Sequence, residues 1–453
     1  MSIGNKKEPF LLFIGDILVF VIALWLMLLL RYFELPKFDI FLAHLIPFSF
    51  LFIVWVVVFF IAGLYEKHTV IFKSRLPNII FNTQITNSII AVLFFYFIPY
   101  FGITPKTSLF IYLIVSFGLI TVWRLYFYPN IGTRRKQKAL LIGTGSEMKE
   151  LRDEVNHNLR YGLEFTSSID LNEVSSLDFQ EDILNKIYSE NISIIVADLH
   201  NEKVGPLLPH LYNLIFSNIQ FIQTYKVYED IFDRVPLSLL KYDWFIENIS
   251  LSPKLVFDFL KRVMDITFSF VLGLFTILIS PFVILAIKLD DGGRILSFQD
   301  RVGKNNKLVK LVKFRTMSYD DGGVWGSDDL NKQKNKVTKI GKFLRKSRID
   351  ELPQLWNVLR GDISLIGPRP EFPEPVKEYS EKIPFYNVRH VIKPGLSGWA
   401  QIYHENHPHH GIDIDETRNK LSYDLYYIKN RSFILDLKIA LKTINELLSR
   451  KGQ

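Results

Sequence analysis

The sequence predicts a membrane protein with a four-helix transmembrane bundle at its N-terminus, an α/β middle domain and a mostly α-helical C-terminal domain with a re-entrant membrane helix. Three observations lead to this class. Hydrophobic residues make up 49% of the 453 residues, and the aromatic ones crowd into the first 128. A soluble α/β pattern follows, and one further apolar segment lies in the second half. The length indicates two or three domains, which we place at 1–130, 137–250 and 254–453.

Four apolar stretches lie in the first domain, at about 10–30, 40–63, 83–103 and 107–127. Each has about 20 residues, enough for a helix to cross a ~30 Å hydrocarbon core. The first is too long for a signal peptide and lacks a small-residue cleavage site, so we expect a retained anchor. Asp16 lies inside it. Because a carboxylate in lipid is costly, Asp16 is expected to face another helix, with a functional role as the alternative.

The basic residues between these stretches predict the orientation. Only Arg31, Lys37 and Lys106 lie in the loops after the first and third stretches. The other flanking segments carry Lys6, Lys7, Lys67, Lys73, Arg75, Arg134, Arg135, Lys136 and Lys138. The positive-inside rule therefore places the N-terminus and everything after residue 130 in the cytoplasm.

The middle domain shows the pattern of a parallel α/β fold. Its start reads as strand, glycine turn and helix, KALLIGTGSEMKELRDEV, and the segments 191–199 and 218–225 read as further buried strands. Gly143 and Gly145 open a turn whose amides are able to hold a phosphate, but Met148 replaces the third glycine of a dinucleotide fingerprint. We favour a degenerate Rossmann-like domain with a structural or regulatory role.

A fifth apolar run extends from Ile266 to Ile287. The pair Ser280-Pro281 lies inside it, and proline removes a helical hydrogen bond and kinks a helix. Both flanks are basic, with Lys254, Lys261 and Arg262 before the run and Lys288, Arg294 and Arg301 after it. Since this gives no preferred crossing direction, we expect a re-entrant helix at 263–289 that breaks at Ser280 and Pro281, with an ordinary kinked span as the alternative.

Overall charge and cysteine content restrict the chemistry. The net charge of +8 is compatible with anionic lipid or phosphorylated substrates. Nucleic acid is disfavoured because no basic domain is free of membrane segments. The chain has no Cys, which excludes disulfides, thiolate metal sites and a cysteine nucleophile.

The most informative stretch is residues 347–371, SRIDELPQLWNVLRGDISLIGPRPE. Asp350 suits a helix N-cap, Pro353 suits the first turn and Gly361 suits the C-terminal end. The helix dipole is expected to keep Asp350 and Glu351 ionised at neutral pH. Their side chains point about 100° apart, so one is suited to attack phosphorus and the other to hold a divalent cation, with plain helix capping as the alternative.

Several cationic side chains accompany this acidic pair, and neighbouring prolines or glycine hold two of them, Arg369 and Lys393, in place. Rigidly held arginines suit bidentate contacts to phosphate, and two phosphorylated substrates need several cations. The candidate phosphate-binding residues are Arg301, Lys313, Arg315, Arg369, Arg389 and Lys393.

From Lys261 to the C-terminus, the sequence resembles the bacterial polyprenyl-phosphate hexose-1-phosphate transferases, the monotopic phosphoglycosyl transferases. The matching elements are Lys261-Arg262-x-x-Asp265, Ser280-Pro281, SFQDRVG (297–303), KFRTM (313–317), residues 338–371 and VIKPGLSGWAQI (391–402). Asp300 stands where many members have Glu. The four N-terminal stretches and the Rossmann-like domain resemble the large members of the family.

The resemblance implies roles for individual residues. Asp350 would be the nucleophile, Glu351 would bind Mg²⁺ and Arg369 would contact phosphate. The expected reaction moves a sugar-1-phosphate from a UDP-sugar to polyprenyl (undecaprenyl) phosphate through an aspartyl-phosphosugar, with release of UMP. By this resemblance, the reaction would be the first membrane step of exopolysaccharide, capsule or O-antigen synthesis, at the cytoplasmic face of the bacterial inner membrane. The resemblance is also compatible with a homodimer. It leaves the transferred sugar undetermined between glucose or galactose types and N-acetylated or deoxyamino types.

Three questions remain open at this level. The stretch 422–450 suits an interfacial amphipathic helix or a core-packing helix equally. The run from Glu405 to His410 suits a solvent-exposed loop better than a metal site. Two rival functions are an NAD-dependent sugar-nucleotide enzyme, for which residues 150–250 lack a Tyr-x-x-x-Lys pair, and a non-catalytic assembly scaffold.

Overall fold

The computed structural model describes residues 8–65, 76–98, 106–128, 136–158, 161–172, 185–199, 201–205, 208–213, 216, 219–249, 254–318, 337–403 and 413–449. Met1–Ile231 forms one compact unit and Phe232–Gln453 forms another. The predicted orientation depends on Lys6, Lys7, Lys67, Lys73, Arg75, Arg134 and Arg135, which lie outside the described residues, as does the run 405–410.

Four long helices begin the first unit. They are α1 (Glu8–Tyr32), α2 (Phe38–Ile61), α3 (Leu76–Phe97) and α4 (Lys106–Val122), and α4 continues into a π-helical turn at Trp123–Phe127. Aromatic side chains fill their common core, with Phe20 against Phe52 and Trp55 at ring centroid distances of 5.5 and 5.4 Å. The membrane class is therefore supported by helices of sufficient length and apolarity.

The third helix corrects the predicted boundaries. The apolar stretch was placed at 83–103, but the helix begins at Leu76 and ends at Phe97. Its early turns carry amide side chains that lower the local hydropathy, and Gln84 and Asn87 are nonetheless buried. Trp55 Nε1 donates to the Asn87 carbonyl at 3.1 Å, so this polar side of α3 faces the other helices.

Asp16 faces a partner on another helix, as predicted. Its carboxylate accepts from Arg124 Nε at 3.2 Å and from the Tyr65 hydroxyl at 2.8 Å, and it forms an ion pair with Arg124 Nη2. Arg124 Nη1 also donates to the Leu64 carbonyl at 2.7 Å. Asp16 and Arg124 are both buried. A paired charge joins α1 to the end of α4, as the cost of a lone charge in lipid requires.

We expect Arg124→Met to destabilise the protein by about 3–5 kcal/mol, because it leaves the Asp16 carboxylate buried without its cation. Thermal unfolding in detergent measures the loss. The double variant Asp16→Leu, Arg124→Met removes both charges and should recover most of the lost stability. A single variant that unfolds at the wild-type temperature would show that the pair does not stabilise the bundle.

A four-stranded parallel sheet forms the α/β part of the first unit, with the order β2-β1-β3-β4. Its strands are β1 (Gln137–Gly143), β2 (Leu163–Asp170), β3 (Ile194–Ala197) and β4 (Gln220–Gln223). Three helices accompany them: α5 (Ser146–His157), α6 (Leu208–Asn213) and α7 (Thr224–Phe232). The strands predicted at 191–199 and 218–225 are therefore present, with shorter bounds.

The glycine turn between β1 and α5 has the expected geometry. Gly145 has a φ of 92°, which favours glycine because a side chain is strained there. Met148 is buried and its sulfur packs toward Gly143. A cavity of about 350 Å³ beside this helix is lined by Met148, Lys149, Arg152, Ser168 and Asp170. The structural or regulatory role of this domain stays a prediction.

The second unit is mostly helical with two small sheets. Its helices are α8 (Tyr242–Asn248), α9 (Leu255–Asp291), α10 (Lys339–Lys346), α11 (Leu355–Arg360), α12 (Pro373–Lys382), α13 (Trp399–Tyr403), α14 (Ile414–Asn430) and α15 (Phe433–Ser449). Strands β5 (Leu296–Val302) and β6 (Leu308–Phe314) pair antiparallel, and β7 (Ser364–Ile366) and β8 (Gly395–Ser397) pair parallel. Short 3₁₀ turns lie at Leu237–Leu239, Lys304–Asn306, Ile349–Gln354 and Tyr386–Val391.

Helix α9 runs without interruption through the predicted break. Pro281 lies inside its 37 residues, and the Ser280 hydroxyl donates to the Thr276 carbonyl at 2.6 Å. The prediction of a gap in the helix is wrong, because a proline removes only one backbone hydrogen bond and the helix continues around it. Together with α1–α4, it is one of five helices among the described residues that are long and apolar enough to cross a membrane.

The C-terminal stretch is two helices rather than one. Arg431 and Ser432 separate α14 from α15. Helix α14 buries Leu425 and Tyr427 in the core, whereas α15 exposes Ile434 by 78% and Leu447 by 50%. The core-packing alternative therefore fits α14, and the apolar exposure expected of an interfacial helix is found on α15.

Candidate active site

The acidic pair lies in the first turn of a short helix. The 3₁₀ turn Ile349–Gln354 leads directly into α11, and Gly361 ends the helix with a φ of 88°. Arg348 precedes the turn in the left-handed region, with φ 57° and ψ 14°. The N-cap position is therefore Arg348, and the prediction of Asp350 as the N-cap is wrong by two residues. Helix ends are the least determined part of a sequence pattern because one residue more or less leaves the periodicity unchanged.

Glu351 is held by cations from distant parts of the chain. Its Oε1 accepts from Lys313 Nζ at 3.1 Å and from Arg369 Nη2 at 2.5 Å, and Arg348 Nη1 lies 3.9 Å away. Burial alone would raise the pKa of Glu351, but the charges of Arg369 and Lys313 outweigh it and hold the pKa well below the ordinary value. Glu351 is therefore ionised at neutral pH, as predicted.

Asp350 has a different environment although it is the adjacent residue. It is 7% exposed, and its Oδ1 has no hydrogen-bond partner among the described residues. Burial and then the negative charge of Glu351 raise the pKa of Asp350 to about 6, against the opposing charge of Lys313. The sequence predicted that the helix dipole would favour the ionised form of Asp350, but burial has the larger effect on its pKa. With a pKa of about 6, Asp350 is still mostly ionised at pH 7.

The cations fall into separate groups. Lys313 and Arg369 contact Glu351 directly. Arg301 lies behind them, stacked 3.3 Å from the Phe372 ring centroid and bonded to Gln299 at 2.8 Å. Its charge helps to lower the pKa of Lys313, after the larger effect of burial. Three of the six candidate phosphate-binding residues, Arg301, Lys313 and Arg369, therefore lie near the acidic pair.

The structure does not bring Arg315 and Lys393 into this cluster. Arg315 forms an ion pair with Asp291 at the end of α9 and donates to the Ser318 carbonyl at 3.1 Å. Lys393 lies beside Arg262 and Gly361, at the opposite end of the helix that carries the acidic pair. Burial and the charge of Arg262 lower the pKa of Lys393. Phosphate contacts by these two side chains stay predictions.

Two arginines that sequence reasoning passed over approach Asp350. The charges of Arg348 and Arg345 both act to lower the pKa of Asp350. Arg345 Nε donates to the Thr316 hydroxyl at 2.9 Å, two residues after the end of the strand that carries Lys313. Because the helix was expected to begin at Asp350, the basic residues just before it were assigned to no site. Their spacing of two and five residues from Asp350 was the available signal.

A Mg²⁺ site is compatible with this arrangement only when substrate is present. Among the described residues, no three His, Asp or Glu side chains are grouped as a preformed metal site. Mg²⁺ commonly uses one or two carboxylates together with waters and substrate phosphates. Glu351 is ionised, and its bonds to Lys313 and Arg369 both go to Oε1. Glu351 therefore fits the protein side of such a site, with the remaining ligands left to water and substrate.

Comparison with known proteins identifies the family of the chain. Residues 256–450 match the family model described as bacterial sugar transferase. The UDP-glucose:undecaprenyl-phosphate glucose-1-phosphate transferase of Caulobacter vibrioides is 38% identical over 202 residues, which cover 44% of this chain and 73% of that relative. The chain belongs to the bacterial sugar transferase family.

This bacterial sugar transferase also matches relatives across part of its N-terminal unit. The UDP-N-acetylgalactosamine-undecaprenyl-phosphate N-acetylgalactosaminephosphotransferase of Aeromonas hydrophila is 40% identical over 266 residues, 57% of this chain and 59% of the relative. The undecaprenyl-phosphate glucose phosphotransferase of Komagataeibacter xylinus is 30% identical over 340 residues, 72% of this chain and 62% of the relative. The chain thus spans less than two thirds of either relative.

Proposed function

We propose that this bacterial sugar transferase moves a sugar-1-phosphate from a UDP-sugar to undecaprenyl phosphate. The observation that carries the proposal is a buried carboxylate, Asp350, next to Glu351, which is paired with cations; in the described part of the chain, Asp350 Oδ1 has no hydrogen-bond partner. An unsolvated carboxylate oxygen is a better nucleophile than a hydrated one, and nearby cations stabilise the phosphoryl charge. The three relatives above are undecaprenyl-phosphate sugar transferases by name.

In the proposed mechanism, an Asp350 oxygen attacks the β-phosphorus of the UDP-sugar. The bond from that phosphorus to the bridging oxygen breaks, UMP leaves with the electron pair, and an aspartyl-phosphosugar remains. An oxygen of the polyprenyl phosphate then attacks the same phosphorus and releases the Asp350 carboxylate. One phosphoanhydride replaces another, so no further energy source is needed. Arg369 and Lys313 are placed to stabilise charge on the phosphoryl oxygens.

We propose Mg²⁺ as the cofactor, held by Glu351 and the diphosphate of the donor. When bound, it would neutralise charge on the diphosphate and the leaving UMP. Without the donor, Lys313, Arg369 and Arg348 already surround Glu351, and their positive charge opposes binding of a second cation. The metal would therefore enter together with the nucleotide.

The contacts of α9 support a re-entrant path in the membrane. Near its start, Lys261 Nζ donates to the Ile366 carbonyl at 2.9 Å, and Asp265 accepts from the Leu365 amide at 3.0 Å. Near its end, Asp290 accepts from the Ile340 amide at 3.0 Å. Both ends of an apolar helix about 55 Å in contour length thus contact one folded unit. A span would need that unit on both sides of the bilayer, so we propose that the continuous helix bends at Pro281 and enters and leaves by the cytoplasmic face.

The direct test is a donor screen with the full-length protein, undecaprenyl phosphate and Mg²⁺. UDP-glucose, UDP-galactose and UDP-N-acetylgalactosamine are the first donors, because the names of the relatives include glucose and N-acetylgalactosamine. We expect UMP release that depends on the lipid and a sugar-bearing undecaprenyl diphosphate by mass spectrometry. The absence of lipid product with every UDP-sugar would exclude the proposed reaction.

The pKa of Asp350, raised to about 6, predicts the pH profile. Only the ionised carboxylate attacks phosphorus, so kcat/KM for the donor should be level above about pH 7 and fall roughly tenfold per unit well below pH 6. Because this folded-state pKa lies above the ordinary value, protonation of Asp350 does not itself destabilise the fold. Titration of Asp350 should therefore not by itself lower the unfolding temperature in the window in which activity falls. A level rate down to pH 4.5 would contradict the assignment.

A further inference from the structure

The loop that carries Arg369 is fixed through its carbonyl groups. Pro368 and Pro370 have no N–H, so the loop offers few donors of its own. The donors come instead from several elements: Lys261 Nζ to Ile366 O (2.9 Å), Gly395 N to Pro368 O (2.9 Å), Arg389 Nη2 to Arg369 O (3.0 Å), Arg301 Nη1 to Pro370 O (3.4 Å) and Val302 N to Glu371 O (2.8 Å). The bond from Arg389 acts on Arg369 itself.

Arg389 is buried among carboxylates and does not face the site. It is 2% exposed, and its Nη2 lies 2.8 Å from the Asp424 carboxylate. Its Nη1 lies 3.1 Å from Glu371 and donates to the Tyr386 hydroxyl at 2.8 Å, while its Nε donates to Asp424 at 3.0 Å. Every guanidinium nitrogen of Arg389 thus donates a hydrogen bond within the protein. Arg389 has no group left for a substrate phosphate, unlike the sequence-based expectation.

A second cation completes this network. Lys420 pairs with Glu371, and the Tyr386 hydroxyl donates to the other oxygen of Glu371 at 2.5 Å. Two acids and two bases are therefore buried together, which compensates the cost of removing each charge from water. The network joins α14, which carries Lys420 and Asp424, to Glu371 at the end of the loop that carries Arg369.

We propose that Arg389 is a positioning residue that directs the Arg369 guanidinium by holding the Arg369 carbonyl. The inference rests on the proposed function, in which Arg369 contacts the transferred phosphate. The planar fork of arginine reaches Asp424, Glu371, Tyr386 and the carbonyl at once, whereas the single nitrogen of lysine cannot. Loss of the carbonyl bond frees the peptide plane that follows Arg369, and a shift of about 1 Å in such a group costs about 100-fold in rate.

A double-mutant cycle on the full-length protein tests the proposal. UMP release is measured for the wild type, Arg389→Lys, Arg369→Ala and the double variant. We expect Arg389→Lys to lower kcat by about 10- to 100-fold in the wild type and by less than about threefold when Arg369 is absent. Equal factors in both backgrounds would mean that Arg389 acts on stability alone, and would overturn the proposal. Arg418→Lys, at an exposed arginine of α14, is the matched control and should keep wild-type kcat.

Hydrogen exchange gives a readout that does not depend on turnover. The amides of the peptide that spans residues 366–372 should exchange faster in Arg389→Lys than in the wild type. Their exchange rate should be unchanged in Arg418→Lys. If Arg389→Lys does not fold, Tyr386→Phe replaces it in both experiments, since it removes only the hydroxyl that bonds Arg389 and Glu371. Unchanged exchange in the folded variant refutes the positioning role. A wild type without UMP release, by contrast, refutes the proposed function, and the exchange result still decides the positioning.

Discussion

Asp350→Asn should lower turnover by at least about 1000-fold, because the amide cannot attack phosphorus in place of the carboxylate. The two side chains have the same shape, so the buried position stays filled. The raised pKa shows that the surroundings disfavour a charge there, and the variant should unfold at the same or a higher temperature than the wild type. Loss of rate without loss of stability would identify a chemical role.

The covalent adduct separates this role from other uses of a carboxylate. Wild-type protein incubated with UDP-sugar alone should gain the mass of a phosphosugar on Asp350, and Asp350→Asn should gain none. Asp415→Asn, at a side chain 93% exposed, is the matched control and should form the adduct normally. Turnover by Asp350→Asn within tenfold of the wild type would refute the nucleophile assignment and leave helix capping as the role of the pair.

Arg369→Ala should lower kcat by about 100- to 1000-fold, the range found when one donor to a developing charge is removed. Arg369 Nη2 lies 2.5 Å from Glu351 Oε1, and its side chain is 29% exposed, so it bridges the acidic pair and the open side of the site. Without it, Glu351 keeps only Lys313 at 3.1 Å and the more distant Arg348. Both phosphate stabilisation and the ordering of Glu351 are then reduced.

Arg369→Lys distinguishes charge from geometry at the same position. A lysine keeps the positive charge but lacks the planar fork, so we expect its activity to fall between those of the wild type and Arg369→Ala. Arg360→Ala is the control, because Arg360 is 65% exposed and its ion pair with Asp362 spans 3.7 Å at the surface. Wild-type kcat in Arg369→Ala would remove this residue from the phosphate site.

Asp350 and Glu351 have different environments although they are adjacent in the sequence. Adjacent carboxylates on one turn receive opposite pKa shifts, because Glu351 meets three cations at Oε1 while Asp350 keeps an oxygen without a partner. The sequence predicted two different tasks from the 100° between neighbouring side chains. Which residue receives which environment depends on Lys313 and Arg369, at 38 and 18 residues from Glu351.

Local patterns in the sequence determined the elements of this protein. Long apolar stretches are sufficient to predict helices because each residue contributes to hydropathy independently of its distant neighbours, although the buried amides of α3 displaced its predicted start. The glycine turn and the buried strands of the α/β part were predicted for the same reason. The ordered motifs after Lys261 indicated the sugar transferase family and singled out Asp350, Glu351 and Arg369.

Only the tertiary structure decided which cations lie beside the acidic pair. Charge alone does not distinguish Arg315, Arg369 and Arg389, yet Arg315 pairs with Asp291, Arg389 pairs with Asp424, and Arg369 reaches Glu351. The physical reason is that desolvation and Coulomb attraction depend on which groups the fold brings within a few ångströms of one another. A charge pattern along the chain specifies how many cations are available, and the packing of distant segments specifies which of them remain for the substrate.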